Sequence, residues 1–263
     1  SLKPCKNSNG IVIWTKEYDN RGNCTKISYF DENNKLTLSD ENISGANYVY
    51  DDYGNEIERS FFNTENKPCL IDNSYHKAKY SYDKNGNLSS EHYYDLNNKL
   101  TLNTDGIAGY DYVMDERGNI LESTPIGTNG KLKDGWLISK RKYDKYDNEI
   151  EYALYDAKGP ALNSYNYHRY NCKYNSRNQV TEIAYYGKEG ELVCYNDDKY
   201  AVQRNEYDAK GNRSHCTFLD KKKEPVVCLE GWHTSTYEYD AQGRITRQLF
   251  YGLNGKPTNS KIM

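Results

Sequence analysis

The chain is short of the residues that normally build a protein interior. Leu, Ile, Val and Phe together make up about 17% of its 263 residues, a level at which a packed core is not the default. Proline is scarce at six residues, which argues against a polyproline rod. No apolar run approaches the roughly 20 residues of a membrane span, and residues 1–20 lack the apolar stretch of a secretory leader. Charge of one sign is missing too. A net charge of −3 gives no basic surface for nucleic acid or anionic lipid. Chemistry-bearing signatures are equally absent. There is no C-x-x-C, G-x-S-x-G, Walker loop or H-E-x-x-H. The reading is a non-enzymatic protein with no cofactor.

What is abundant is tyrosine, with 28 residues. Each supplies a large ring for burial and a hydroxyl that can still reach water or a partner, and Tyr favours strands. With charge nearly balanced, this composition argues for a folded chain rather than a disordered one. The seven cysteines are Cys5, Cys24, Cys69, Cys172, Cys194, Cys216 and Cys228. An odd count without metal-site spacing reads as buried reduced thiols, which suits a reducing compartment.

The sequence repeats. Asp19, Asp51, Asp83, Asp115, Asp144, Asn175, Asp208 and Asp240 are spaced 32, 32, 32, 29, 31, 33 and 32 residues apart. Such a period marks an array of supersecondary units. Three residues after each stands Gly22, Gly54, Gly86, Gly118, Asp147, Asn178, Gly211 or Gly243, residue types that tolerate positive φ. An Asx residue, two free positions and a left-handed residue predict a type I turn with a bulge closing a β-hairpin. Twelve residues after the first turn a second begins, at Asp31, Asn63, Asp95, Gly127, Asp156, Gly187, Asp220 and Gly252. Its left-handed position is Asn or Gly in every unit except at Lys223, where a strained tip is expected. All variation in repeat length is expected in the connection that follows.

Period-two alternation, as in Lys79-Tyr80-Ser81-Tyr82, predicts strands on both sides of the first turn. A large apolar column, Ile11, Ile43, Tyr75, Ile107, Trp136, Tyr167, Tyr200 and Trp232, lies eight residues before each first turn. It sits an odd number of residues from the tyrosine that precedes the turn, so a bend or bulge between them is needed to bring both to one interior. The predicted fold is all-β: an elongated array of about eight 32-residue hairpin repeats, as an open twisted sheet or a β-solenoid. Residues 1–263 read as a single array with units starting near 18, 50, 82, 114, 143, 174, 207 and 239. Lys3-Pro4 stands sixteen residues before Asp19, as Lys35 does before Asp51, which points to a segment of a longer protein.

Residues 239–246, Tyr-Asp-Ala-Gln-Gly-Arg-Ile-Thr, resemble the YD repeat of the RHS family, Y-D-x-x-G-R-L-T. The Tyr-Asp-x-x-Gly-Asn segments at 18–23, 82–87 and 207–212 are similar. The resemblance implies a secreted or surface-located bacterial polypeptide whose hairpins spiral into a β-shell able to enclose a toxin. The unit here is longer than the usual YD unit, and Arg244 is the only arginine at its position. A closed shell and an open ribbon therefore both stand. The halves Tyr29 to Lys35 and Tyr93 to Lys99 also look like choline- and glucan-binding repeats of bacterial wall proteins, in which aromatics between hairpins hold the ligand.

Candidate binding residues are those that leave the pattern. Tyr53 and Tyr146 place rings at the tips of first turns, and Tyr165 and Tyr195 are additional loop aromatics. Neighbouring exposed rings mark contact surfaces for sugars or proteins. Trp136 and Trp232 read as core residues first and groove-lining residues second. The histidines, His76, His92, His168, His215 and His233, read as solvated loop residues rather than a metal cluster. Acidic turn residues such as Asp83 read as turn formers rather than calcium ligands. The function expected is an adhesion, display or protein-interaction scaffold, with a carbohydrate- or choline-binding solenoid and a fragment of a toxin-enclosing shell as alternatives. A protein or glycan partner is expected.

Overall fold

Alternating tyrosine and polar residues produce strands wherever the repeat places them. The structure, a computed structural model, describes residues 11–196 and 198–258. Among the described residues it holds seventeen strands, paired antiparallel, and no helix. The chain divides into two units at Trp136/Leu137.

In the first unit the strands are β1 (Ile13–Tyr18), β2 (Cys24–Phe30), β3 (Gly45–Tyr50), β4 (Glu56–Phe62), β5 (Lys77–Tyr82), β6 (Leu88–Tyr94), β7 (Gly109–Met114) and β8 (Ile120–Ile126). Each pairs with the next in sequence, giving four hairpins joined as a meander. The second unit holds β9 (Ile138–Tyr143), β10 (Glu149–Asp156), the two-residue β11 (Gly159–Pro160), β12 (Arg169–Tyr174), β13 (Val180–Tyr186), β14 (Val202–Tyr207), β15 (Arg213–Leu219), β16 (Thr234–Tyr239) and β17 (Ile245–Tyr251). It repeats the meander, with β10 pairing both β9 and β12 and with β11 folded back on its end.

The first turn shows why the Tyr-Asp-x-x-Gly-Asn motif folds as it does. At Asp83 the backbone carbonyl accepts from the Gly86 amide at 3.0 Å, and the Asp83 amide donates to the Asn87 carbonyl at 2.8 Å. Oδ1 accepts the amides of Asn85 and Asn87 at 2.8 and 2.9 Å, and Oδ2 accepts the Asn87 side-chain amide at 3.2 Å. Gly86 takes φ +83°. All eight first turns carry the paired amide-to-side-chain bonds. All eight hairpins slip register beside the turn, as a bulge requires. Seven of the eight second turns form as expected, and Lys223 is held at φ +65°.

A third turn per repeat, between the second turn and the next hairpin, has no counterpart in the sequence reading. It closes at Asn42 on Ser39, Gly106 on Asn103, Asn166 on Asn163 and Gly231 on Cys228, each by an amide-to-carbonyl bond of 3.0 to 3.1 Å. The segment after it carries the apolar column inward. Ile43 packs with Ala46 and Phe61, and the expected corner falls between Ile43 and Ala46.

In the second unit Tyr167, Tyr185, Tyr200, Phe218 and Trp232 form the buried core with Cys216 and Cys228. Ring centroids step from Tyr200 to Phe218 at 4.3 Å, to Trp232 at 4.7 Å and to Phe250 at 5.4 Å. Aromatic rings thus supply the apolar area that the scarce aliphatics do not.

Two expectations need correction. Repeat length does not vary only after the second turn. In the fifth hairpin the second turn itself is one residue shorter, because Ala161 bonds back to Leu154 seven residues away where Val193 reaches Tyr185 eight residues away. The histidines are not all solvated. His76 and His168 are buried, with Nδ1 at 3.1 Å from the Cys69 carbonyl and 2.7 Å from that of Leu154. A backbone acceptor inside the repeat removes the penalty for burying an imidazole. The described cysteines are free thiols, with Cys216 and Cys228 buried. Cys5 and Lys3-Pro4 lie outside the described residues.

Candidate functional site: the two sheet faces and the turn tips

Strand alternation sorts side chains onto two faces. One face is charged. In the first unit Glu58 lies between Lys77 and Lys79 at 3.3 and 3.7 Å. In the second unit Glu151 lies between Lys142 and Arg169 at 2.8 and 3.3 Å, and Glu182 between Lys173 and Arg204, both at 2.8 Å. Burial works against the charge of Glu182, but hydrogen bonds from Lys173 and Arg204 outweigh it and hold the carboxyl below its ordinary range. These carboxylates are fully engaged with cations.

The other face is tyrosine-rich. In the first unit Tyr48, Tyr80 and Tyr112 stand opposite Arg59, Glu91 and Ser123 across their hairpins. All three rings are half-buried. The Arg59 guanidinium lies 5.3 Å from the Tyr48 ring centroid and is held bidentately by Glu56 at 2.9 and 3.1 Å. Burial raises the phenol of Tyr80 and pushes that of Tyr112 up to about 12, so both hydroxyls remain protonated near neutral pH. Ile71 and Tyr75 from the connections pack on the adjacent row, Ile43, Ala46 and Phe61. Among the described residues of this unit there is no second layer of strands or helices to cover the tyrosine row.

In five of the eight repeats the tyrosine that precedes the first turn reaches one hairpin back. Its hydroxyl donates to the carbonyl of the fifth residue after the previous turn's Asx position: Tyr50 to Cys24 at 2.9 Å, Tyr82 to Glu56 at 2.8 Å, Tyr174 to Glu149 at 2.9 Å, Tyr207 to Val180 at 2.7 Å and Tyr239 to Arg213 at 2.9 Å. Sequence reasoning found this column but not its role. The acceptor is a backbone carbonyl, which leaves no mark in the sequence.

Between adjacent first turns the surface is grooved. One such groove, about 920 Å³, is lined by Tyr53, Ile57, Tyr80, Tyr82 and the Asp83–Gly86 turn. A smaller groove of about 290 Å³ in the second unit carries Tyr237 and Tyr239.

Tyr53 is 92% exposed on its groove's rim, and Tyr146 is exposed at its own tip beneath Lys145. The structure brings Tyr165 and Tyr195 together, with ring centroids 5.4 Å apart and planes 10° apart. Trp232 is buried between Phe218 and Phe250, its indole N–H on Glu230 at 2.9 Å. Trp136 is half-buried in the turn it closes with Lys133. Of these residues Tyr165 and Tyr195 are thus in ring contact, and Tyr195 also packs on the core cluster that holds Trp232. The half-buried His92 pairs with Asp111 at 2.8 Å on the charged face. Among the described residues no group of three or more His, Cys, Asp or Glu is placed to hold a metal ion.

No family model matches the chain, and no curated protein matches it. Solved structures do show a distant likeness. The chain is 12% identical to a component of a Photorhabdus luminescens Tc holotoxin pore over 90% of its own length, with a TM-score of 0.33. It is 11% identical to a chain of the TcdB2-TccC3 structure over 93% of its length, with a TM-score of 0.36. The chain spans 13% and 14% of those chains. At TM-scores this low the likeness assigns neither an activity nor a partner.

Proposed function

We propose that this chain is a non-enzymatic β-repeat scaffold, belonging to a bacterial surface or secreted protein, that holds a protein partner along its tyrosine face. The observation that carries this reading is the row Tyr48, Tyr80 and Tyr112, with Arg59 and Glu91 between the rings, which no strand or helix covers among the described residues of its unit. Rings that combine apolar area with a hydroxyl, interspersed with an arginine, have the composition of protein contact surfaces. A partner polypeptide seated there would bury the rings and meet donors already fixed in place. A shell around a client polypeptide and an adhesive ribbon use this face in the same way.

A second reading, glycan binding, draws on the groove beneath Tyr53, where an exposed ring overhangs Tyr80, Tyr82 and polar turn groups. One experiment separates the two. The immobilised chain is presented to a panel of secreted bacterial polypeptides and to a glycan array, alongside the Tyr112→Ser and Tyr53→Ala variants. Loss of polypeptide binding in Tyr112→Ser alone supports the tyrosine face. Loss of glycan binding in Tyr53→Ala alone supports the groove, and a chain whose binding neither substitution alters refutes both.

A further inference from the structure

Tyr165 and Tyr195 lie in the third turns of the fifth and sixth hairpins, one repeat apart. Their rings are offset and nearly parallel, with centroids 5.4 Å apart and planes within 10°. The backbone fixes both. The Asn196 amide donates to the Tyr165 carbonyl at 2.7 Å, the Tyr165 amide donates to Asn163 Oδ1 at 3.0 Å, and the Tyr195 amide donates to the Tyr200 carbonyl at 2.9 Å. Tyr165 is 47% exposed, so a dissolved oxidant can reach it, while Tyr195 is half-buried against Tyr185 at 4.8 Å.

We propose that this pair is a site of intramolecular dityrosine formation, made when the chain meets a one-electron oxidant of the peroxidase or metal-oxo class. Each phenol gives one electron to the oxidant and one proton to water. The two phenoxyl radicals then join through a new carbon–carbon bond between their ortho positions. The hydrogens on the joined carbons move to the phenol oxygens as the rings regain aromaticity. The chain loses two electrons and two protons in all, and two equivalents of oxidant are reduced.

Exposure together with stacking singles out this pair, because the stacked pairs Tyr152–Tyr170 and Tyr110–Tyr112, with centroids 5.2 and 5.8 Å apart, have all four rings half-buried. Tyr53 and Tyr146 are more exposed, yet neither has a neighbouring ring among the described contacts. Tyr167 and Tyr185 approach Tyr195 as well, but both are buried and burial raises their phenols, which opposes the proton loss that accompanies oxidation. The product would staple two consecutive hairpins at their outer turns. Such a link stabilises chiefly by restricting the unfolded chain, as a disulfide does, and needs no cysteine.

The test uses the full chain at low concentration, illuminated briefly with ruthenium tris-bipyridyl and persulfate as the one-electron oxidant. The expected result is dityrosine fluorescence in material of monomer size, with peptide mapping that joins residue 165 to residue 195 and a raised unfolding temperature. Tyr165→Phe and Tyr195→Phe keep the ring stack, so the fold persists by circular dichroism while the monomer fluorescence falls at least several-fold. Tyr53→Phe leaves it unchanged. Cross-links found only between molecules, or an undiminished monomer signal in Tyr165→Phe, overturn the proposal.

Discussion

Replacing Tyr82 with phenylalanine tests the seam between hairpins most directly. The substitution keeps the ring and removes only the hydroxyl that donates to the Glu56 carbonyl at 2.8 Å. A net protein hydrogen bond is worth about 0.5–1.5 kcal/mol. Both groups are half-buried, so water can reach the abandoned carbonyl and the penalty for leaving it unpaired is small. The expected loss is therefore about 1 kcal/mol, or roughly 3–5 °C in the melting temperature of a unit this size. Tyr50→Phe removes the equivalent bond to Cys24 one repeat earlier. The two lie about two strand spacings, or ~10 Å, apart, so the double variant should lose about 2 kcal/mol within a few tenths. Tyr18 is the internal control: it is 59% exposed and has no such partner among the described residues. Met114 fills the same position without a hydroxyl, and Met114→Tyr should gain about 1 kcal/mol by reaching the Leu88 carbonyl. Urea titration with constant m-values measures all of these. If Tyr82→Phe is as silent as Tyr18→Phe, the seam bond is not what the tyrosine column contributes.

Three further predictions concern the glycines, Lys223 and the turn aspartates. A Cβ built on Gly45 would meet the Ile27 carbonyl oxygen at 2.0 Å and Phe62 at 2.5 Å, so Gly45→Ala should lose at least about 2–3 kcal/mol, visible as a collapsed urea midpoint, whereas Gly22→Ala meets nothing within 4 Å and loses only about 1–2 kcal/mol from its positive φ. Lys223→Gly relieves a side chain held at φ +65° and should raise stability by roughly 0.5–1 kcal/mol after the entropy of the added glycine is counted. The turn aspartates have carboxyls held below their ordinary range, at Asp19 and Asp51 first by the side chain of the following asparagine and at Asp83 and Asp208 first by its backbone amide. Their contribution is fully present above the unfolded-chain value of 3.8 and is lost as pH falls through the depressed native values. Asn175 makes the same amide bonds without a charge, so replacing Asp19, Asp51, Asp83 and Asp208 with Asn should preserve the hairpins at neutral pH and flatten the acid limb of the stability curve.

The legible part of this fold is the part with a fixed side-chain requirement. Asp83 and Gly86 announce a turn because one must accept backbone amides and the other must adopt positive φ, and both demands recur in register eight times. The third turn went unread because its positions are filled by Ser39 and Asn42 in one repeat and by Cys228 and Gly231 in another, with no shared residue type to follow. The burial of His76 and His168 leaves no sequence signal for a different reason: a backbone carbonyl satisfies each ring, and backbone acceptors are invisible in sequence. The Tyr165–Tyr195 stack was readable in principle. Both are extra aromatics in the same connection of consecutive repeats, and periodicity alone places such residues side by side.

The shortage of aliphatic residues then has a physical meaning. Within each unit the described strands form one meander, which encloses side chains poorly, so a leucine core there would leave apolar area in water. Tyrosine serves both sides of that problem. Its ring packs in the ladder from Tyr200 to Phe250, and its hydroxyl ties Tyr82 and Tyr239 to the hairpin before them. The same residue leaves Tyr48, Tyr80 and Tyr112 half-covered, with donors still to satisfy. The residue type that stabilises the described strands within each unit is also the one that the proposed function places against a partner. That is why the functional reading rests on a surface repeated along the array rather than on any single pocket.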